Sequence, residues 1–339
     1  MNRVVYWALV VIMFAGVVTA AGTGCRGERV EEERREIALG TGVVADAPLD
    51  ALTRGLVYAI GKQELGFRII PHQNPGGTAE VVQNIDRYDF CGLSLDEAAH
   101  AYYGFYKWEG QPHPQLRLLW VMGSIPITFI AAANTGIESI YELDGKPVGS
   151  GEPESMTQFK AMKLFEALGI KPDWHRGSWE AQIDLYRKGE LAGLVKEGAP
   201  DPTLVECAKE QPFTVLNISE TDLSRANQFY SGTGLVFPVC LLRPDVYPGQ
   251  EETTTTCGLV FGYFAHKDVS AEVIHKLVKA VWVEVWDLSL CYEPMRFDII
   301  GFPKLTLEQG PFPLHPGAIK LYRGLELEVP SHLVPPEGD

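Results

Sequence analysis

The chain has 339 residues, which is enough to bury a sizeable core and to form two domains. Its apolar fraction of 46% and charged fraction of 22% are those of an ordinary globular protein. The net charge of −15 argues against nucleic acid or an anionic lipid surface as a partner. It does not argue against a small anion, because local dipoles in a cleft decide that.

The N-terminal residues predict a secretory signal peptide over residues 1–24. Arg3 precedes an apolar run from Val4 to about Val18, which is too short to span a membrane comfortably and is followed by small residues. Cleavage at Thr19-Ala20-Ala21 is one interpretation. The other is a bacterial lipobox, Gly22-Thr23-Gly24-Cys25, although Gly22 stands where an aliphatic residue is usual. We favour lipidation of Cys25, because residues 25–36 are a charged tract typical of a solvated tether.

Beyond the tether, short β-rich runs alternate with helical patterns. The predicted strands are residues 37–40, 67–71, 90–93, 116–122, 128–134, the end of 146–151, 191–195, 213–218 and 253–267. The predicted helices begin at Asp46, about Thr78, Ser94 or Asp96, Ser155, Pro202, Ser270 (through about Leu288) and Pro316. This alternation indicates βαβ units, a largely parallel sheet and an α/β fold with two lobes around a cleft.

Four predicted strand-to-helix turns carry Gly, Ser or Thr, at residues 39–46, 72–82, 92–104 and 149–159. Ligands of open parallel sheets bind beyond the carboxyl ends of strands, where helix N-termini point. The turn before Thr78 is the best anion cradle of the four, because Asn-Pro-Gly-Gly leaves free backbone N–H groups at a helix start. Each turn by itself is more often a structural cap, but their recurrence at equivalent positions favours a binding cleft.

The cysteines after residue 25 lack metal-site spacing and are most simply buried small hydrophobes. They are Cys91, Cys207, Cys240, Cys257 and Cys291. Cys240 and Cys257 lie symmetrically about Pro248-Gly249, as cross-strand partners in a hairpin would. Export makes a disulfide between them chemically possible, and we predict one.

Several motifs together resemble one family of receptors. In chain order they are GTG, PGGTAEVVQNI, FCGLSLDEAAHAYYG, NTGIESIYELDGKPVGSGEP, LFEALGI, VYPGQEETTTT and PLHPGA, spread from about Ile37 to Arg323. The chain thereby resembles the TAXI branch of solute-binding proteins, the extracytoplasmic receptors of TRAP transporters. The resemblance implies a type II periplasmic-binding fold with hinge strands. It also implies a small organic acid or amino acid as ligand, and an ion-gradient-driven TRAP permease in the membrane as partner.

The expected division is lobe 1 at residues 37–130, lobe 2 at 131–257, and a return to lobe 1 with C-terminal helices at 258–339. The expected ligand residues are Thr41, Gly42, Asn74, Gly76, Gly77, Thr78, Ser94, Asp96, Glu154, Ser155, Met156 and Thr157. Two departures from the family bear on the ligand. Val43-Val44-Ala45-Asp46-Ala47 replaces a glycine and a tyrosine pair, and Glu154 to Thr157 replace Gly-Ser-Gly-Thr.

The sequence favours a periplasmic or otherwise extracytoplasmic receptor, with contact to the membrane only through a lipid anchor. We expect a zwitterionic or monoanionic ligand, because Asp96 and Glu154 lie near hydroxyls and backbone amides. No hydrolase, metalloprotease or nucleotide-binding motif is present, so we expect no enzyme activity, cofactor or metal. A lipoprotein sensor or scaffold that has lost transport is the alternative. His315 is expected to be a buried residue at the start of the last helix, outside the cleft.

Overall fold

The structure is a computed structural model that describes residues 35–41, 48–63, 65–74, 77–291, 295–336 and 338. The predicted signal peptide, Cys25, and the site residues Gly42 and Gly76 lie outside these ranges, as does the tether up to residue 34. The first strand begins at Arg35, so the last two residues assigned to the tether belong to the sheet.

The strands form one ten-stranded sheet within the described residues. They are β1 (Arg35–Thr41), β2 (Phe67–Gln73), β3 (Phe90–Ser94), β4 (Leu116–Ala132), β5 (Pro147–Gly149), β6 (Asp173–His175), β7 (Gly193–Glu197), β8 (Phe213–Val215), β9 (Val239–Leu242) and β10 (Thr254–His266). Their order is β2-β1-β3-β10-β4-β7-β5-β6, with β8 beside β4 and β9 beside β10.

Helices connect most of these strands. They are α1 (Pro48–Gly61), α2 (Gly77–Gln83), α3 (Leu95–Tyr103), α4 (Met156–Leu168), α5 (Trp179–Arg187), α6 (Pro202–Glu210), α7 (Glu220–Phe229), α8 (Ala271–Val283), α9 (Val285–Leu288), α10 (Arg296–Ile300), α11 (Phe302–Gln309) and α12 (Pro316–Gly324). We call β1–β3 with α1–α3 the first half, and β5–β8 with α4–α7 the second half. The three strands β1, β2 and β3 are parallel to one another, and so are β5, β6 and β7.

Two long antiparallel strands, β4 and β10, connect the halves. The sequence predicts two strands where the structure has the single 17-residue strand β4, and this prediction is wrong. Pro126 lies between the two predicted strands, where β4 changes partner from β10 to β7. A proline has no N–H to donate to a ladder, so the change of partner is a position where it fits. Its carbonyl still accepts the Gly198 N–H at 2.9 Å.

Most other predicted elements are present with shifted ends. The apolar face of α1 is formed by Leu52, Leu56 and Ile60, which are all buried. The helix predicted from Ser270 to Leu288 is divided into α8 and α9 at Glu284. The short strand β6 and the helices α5, α7, α10 and α11 were not predicted.

His315 is structural, as expected, and caps α12. Its Nδ1 accepts the Gly317 N–H at 3.1 Å, so the proton lies on Nε2, which donates to the Val269 carbonyl at 3.1 Å. The ring is 1% exposed. It therefore satisfies a donor at the start of α12 and joins that helix to the segment before α8.

The predicted disulfide is not formed, and the register of the hairpin explains why. The described cysteines are free thiols. β9 and β10 do pair antiparallel, but Cys240 lies opposite Thr256, and Cys257 lies opposite Val239. An offset of one residue directs the two side chains to opposite faces of the hairpin. Burial raises the pKa of each thiol to about 12, so both stay protonated.

Candidate functional site

The carboxyl ends of the two parallel sets converge on the middle of β4. Ser94, the last residue of β3, is level with Phe261 of β10, which is level with Gly123 of β4. Glu197, the last residue of β7, lies opposite Ile127 of β4. β7 runs antiparallel to β4, so its carboxyl end points back toward Gly123. Gly123 and Ile127 are four residues apart, or about 13 Å along an extended strand. The strand ends of both halves thus approach each other across a short stretch of β4, from Gly123 to Ile127, which we call the central interval.

Thr41 and Asn74 are joined at the first-half side of this interval, where β1 and β2 end. The Asn74 backbone N–H and its Nδ2 both donate to the Thr41 carbonyl, at 2.9 and 3.0 Å. Nδ2 also donates to the His72 carbonyl at 3.1 Å, and Asn74 Oδ1 accepts the Tyr88 hydroxyl at 2.6 Å. Asn74 is therefore bonded on both ends of its amide and fixes the ends of two strands.

Gly77 and Thr78 begin α2, which has only seven residues. The Gly77 N–H donates to the Asn74 carbonyl at 2.9 Å, so one donor of the predicted anion cradle is already used. Gly77 has φ of +68°, a conformation that an L-residue rarely adopts. The Thr78 side chain is half-buried and lies next to this turn.

Ser94 and Asp96 begin α3, and each has a defined partner. Ser94 is the N-cap, and its Oγ accepts the Glu97 N–H at 3.1 Å. Asp96 Oδ2 lies 2.7 Å from the Lys160 ammonium of α4, and Oδ1 accepts the Val236 N–H at 2.9 Å. Asp96 is therefore bonded to the second half of the molecule, whereas Ser94 is bonded within its own helix.

The predicted second wall is the turn before α4. Ser155 is the N-cap: its Oγ accepts the Gln158 N–H at 3.1 Å and donates to the Glu152 carbonyl at 2.7 Å. Glu154 has φ of +60°, which is rare for a residue with a side chain, and its N–H donates to Gln158 Oε1 at 3.0 Å. A glycine, as in the resembling family, would hold this conformation without strain.

Met156 and Thr157 form the first turn of α4 and point into the protein. Thr157 is 1% exposed, and Met156 is half-buried against the hydrophobic core. Thr157 is closed off from solvent, and Met156 is partly exposed. The predicted second wall therefore consists of one capping hydroxyl, one strained glutamate, one partly exposed methionine and one buried threonine.

Lys196 and Glu197 end β7 at the central interval and form a second ion pair. Lys196 Nζ and Glu197 Oε1 are 2.9 Å apart, and both side chains are mostly buried. Burial raises the pKa of Glu197, but the charge and hydrogen bond of Lys196, together with hydrogen bonds from the backbone and Thr157, outweigh it and leave the pKa below its usual value. The pair is therefore charged at neutral pH and neutralises itself.

Sequence reasoning missed Lys160, the buried partner of Asp96. The buried positions of α4 are Thr157, Lys160, Ala161, Leu164, Phe165 and Leu168. Their spacing is that of one helical face. A lysine at helical spacing between buried apolar residues is a signal that the sequence did contain.

Two cavities are prominent in the described structure. One of about 560 Å³ lies beside Thr41, between α1 and the ends of β1 and β2. The other, of about 710 Å³, lies between α8 and α12. Neither is lined by residues of the second half, so neither coincides with the whole predicted site.

The described residues contain no group of three or more His, Cys, Asp or Glu side chains arranged to hold a metal ion. Within the same ranges, no helix combines the length and apolar character needed to cross a membrane.

A family model for the NMT1-like family matches residues 62–324 of the chain. The chain belongs to the NMT1-like family. Among solved structures, it is similar to MatC of Rhodopseudomonas palustris with bound malate, at 15% identity and a TM-score of 0.52 over 86% of this chain and 95% of that one. A TctC solute-binding protein from Polaromonas matches at 14% identity and a TM-score of 0.53, over 87% and 98% of the two chains. A structure described as a periplasmic transporter matches at 12% identity and a TM-score of 0.53, over 88% of this chain and 99% of that one.

These likenesses show the fold of this NMT1-like family member. The mixed α/β fold of the periplasmic binding proteins is confirmed, with helices flanking the sheet. The two parallel sets and the two long connecting strands are the features that the fold class predicted.

Proposed function

We propose that the protein is an extracytoplasmic solute-binding receptor that captures a small organic acid or amino acid between its two halves. This proposal rests on one observation. β3, which ends at Ser94, and β7, which ends at Glu197, both end at the central interval of β4. Strand ends followed by helix starts are where ligands bind in α/β sheets. The solved structures of the same fold include MatC, which holds malate.

The charges near the interval support a zwitterionic or monoanionic ligand. Lys160 is neutralised by Asp96, and Lys196 by Glu197. Neither cation is therefore available to compensate a second negative charge on a ligand. A dicarboxylate entering this interval would lose hydration without gaining a strong counter-ion from these residues. An amino acid brings its own ammonium group and avoids that cost.

A thermal screen of amino acids and small organic acids tests the proposal. A ligand at about 100 times its Kd stabilises the folded state by about 2.7 kcal/mol, which raises Tm by several degrees in a protein of this size. Ser155→Asp keeps an N-cap acceptor for α4 but adds a carboxylate at the predicted wall. It should remove the shift for an anionic or zwitterionic ligand while the unliganded Tm stays close to that of the wild type.

Ser270→Asp is the matched control, since Ser270 is at the start of α8 and belongs to neither wall. It should leave the ligand-induced shift intact. A shift that survives both Ser155→Asp and a bulky Thr78→Trp would place the ligand elsewhere.

A sensor or scaffold that does not transport is the second candidate. It is favoured by the fact that Ser94, Ser155, Asn74 and Asp96 already have partners within the chain. Absence of any shift with small acids and amino acids would support it.

For the receptor, we further propose delivery to a TRAP-type permease and a lipid anchor on Cys25. The first would be supported by a TRAP permease gene beside the gene of this chain. The mass of the mature N-terminus decides the second, because an unmodified Cys25 would exclude the anchor.

A further inference from the structure

Asp96 and Lys160 form an ion pair between the two halves. Asp96 is on α3 of the first half, and Lys160 is on α4 of the second half. Their side chains are 3% and 0% exposed, and the Oδ2–Nζ distance is 2.7 Å. The pair is therefore a short contact between helices of the two halves, and it is shielded from water.

A second bond makes the same connection through Asp96. Oδ1 of Asp96 accepts the Val236 N–H at 2.9 Å. Val236 belongs to the segment after α7, and the next residue, Phe237, is tied to Asn227 of α7 by bonds of 2.7 and 3.0 Å. Phe237 also places its ring 5.6 Å from the Lys160 ammonium. One carboxylate thus holds both α4 and the segment that follows α7.

The surroundings make this arrangement sensitive to any separation of the halves. Both charges have lost their hydration, and each is compensated mainly by the other. If the halves moved apart, water would solvate both groups. In the closed arrangement each charge has only its partner in place of that water, so the free energy of closure depends on both partners being present. Removal of one partner would leave a buried charge that only opening can hydrate.

We propose that the Asp96–Lys160 pair is an interlobe latch, which holds the two halves together without a ligand and which a ligand must complement to stabilise the closed form. The proposal deepens the proposed receptor function, because closure around a ligand requires that closed and open forms differ in free energy. It assigns to Asp96 a positioning role in place of the direct ligand contact predicted from the sequence.

Hydrogen exchange at the Val236 amide, measured on the full chain without ligand, tests the latch. Lys160→Met removes the ammonium but leaves Asp96, the acceptor of the Val236 N–H, unchanged. We expect Val236 to exchange at least about tenfold faster, the factor that corresponds to about 1.4 kcal/mol of lost closure free energy. The amides of β4 and β10 should keep their wild-type exchange rates.

Lys209→Met is the control, because Lys209 pairs with Glu206 within α6 and makes no connection between the halves. It should leave Val236 exchange unchanged. If Lys160→Met does not fold, the double variant Asp96→Asn with Lys160→Met replaces it, since it buries no unpaired charge and keeps an amide oxygen for Val236. A smaller acceleration of Val236 exchange is expected there, because the ion pair is lost but no unpaired charge remains buried.

Wild-type exchange at Val236 in the folded variant would overturn the latch, and so would equal acceleration of Val236 and the β4 and β10 amides. The test needs no ligand, so its outcome is separate from that of the receptor proposal. A ligand-induced Tm shift with an unaffected Val236 would keep the receptor and discard the latch.

Discussion

Ser94 and Ser155 perform the same structural task at the starts of α3 and α4. Each hydroxyl accepts the backbone N–H three residues further on, Glu97 and Gln158 respectively, and both distances are 3.1 Å. The two capped helices carry Asp96 and Lys160, the two members of the interlobe pair. The caps therefore fix the helix starts from which the halves contact each other.

Loss of either cap should destabilise the protein modestly. Ser94→Ala and Ser155→Ala each remove one acceptor from a helix start, and the expected loss in the free energy of unfolding is about 1 kcal/mol. Ser94→Asn and Ser155→Asn should recover most of it, because Asn is also a good N-cap. Urea denaturation monitored by circular dichroism measures these differences, and equal stability of the Ala and Asn variants would contradict the capping role.

Acid should destabilise the protein through His100. This side chain is 3% exposed, its Nε2 has no hydrogen-bond partner, and burial lowers its pKa from 6.5 to about 4. Between pH 6.5 and about 4, His100 is protonated in the unfolded chain but neutral in the folded chain. The free energy of unfolding is therefore highest above about pH 6.5 and falls as the pH is lowered. From pH 7.5 to 5 the expected loss is about 2 kcal/mol.

The groups that face His100 include Asp96 on its own helix, Lys107, and Lys160 on α4, with the rings of Tyr106 and Phe159 at 4.5 and 5.7 Å. His100→Phe keeps an aromatic ring in this position and cannot be protonated. Between pH 7.5 and 5, the free energy of unfolding of this variant should therefore fall by about 2 kcal/mol less than that of the wild type.

Most of the fold could be predicted from the sequence, because periodicity reports which residues are buried within each element. Leu52, Leu56 and Ile60 of α1 and the Ser155 cap of α4 are examples. The single strand β4 could not be predicted, since Pro126 reads as a break until its change of partner is known. The register of the β9–β10 pair could not be predicted either. The symmetric spacing of Cys240 and Cys257 therefore suggested a disulfide that the actual register does not allow.

The helix starts that carry the candidate site could be predicted from the sequence, but the partners of their side chains could not. The turns that carry Ser94 and Ser155 are at helix starts, as expected, but their hydroxyls act as caps. The pairing of Asp96, one of the predicted ligand residues, with Lys160 was not predicted. Contacts between residues far apart in the chain depend on how the halves pack, and a single sequence contains no record of that packing.

The register of the β9–β10 hairpin can be tested by cross-linking. Thr256 lies directly opposite Cys240, so Thr256→Cys should form a disulfide with Cys240 under mild oxidation. Thr255→Cys is the control, because Thr255 lies opposite Leu241 and on the other face. Peptide mapping without reduction identifies the link. A Cys240–Cys257 link in the wild type would show that the pairing is shifted by one residue.

The contact between α8 and α12 depends on the absence of a side chain at Gly317. A Cβ at this position would lie 2.4 Å from the Ala271 carbonyl oxygen and 2.9 Å from the His275 nitrogen, both of which are backbone atoms of α8 or its start. Backbone atoms cannot turn aside as a flexible side chain can, so Gly317→Ala must separate the two helices. We expect a loss of about 1–3 kcal/mol, typical of overpacking, despite the better helix propensity of alanine.

Gly324, the last residue of α12, provides the matched comparison. A Cβ there would meet no atom within 4 Å. Gly324→Ala should therefore be neutral or stabilise the protein by up to about 1 kcal/mol, because alanine loses less backbone entropy in a helix. Thermal unfolding of both variants decides the matter: opposite signs are expected, and equal Tm values would show that α8 and α12 do not pack as closely as the structure places them.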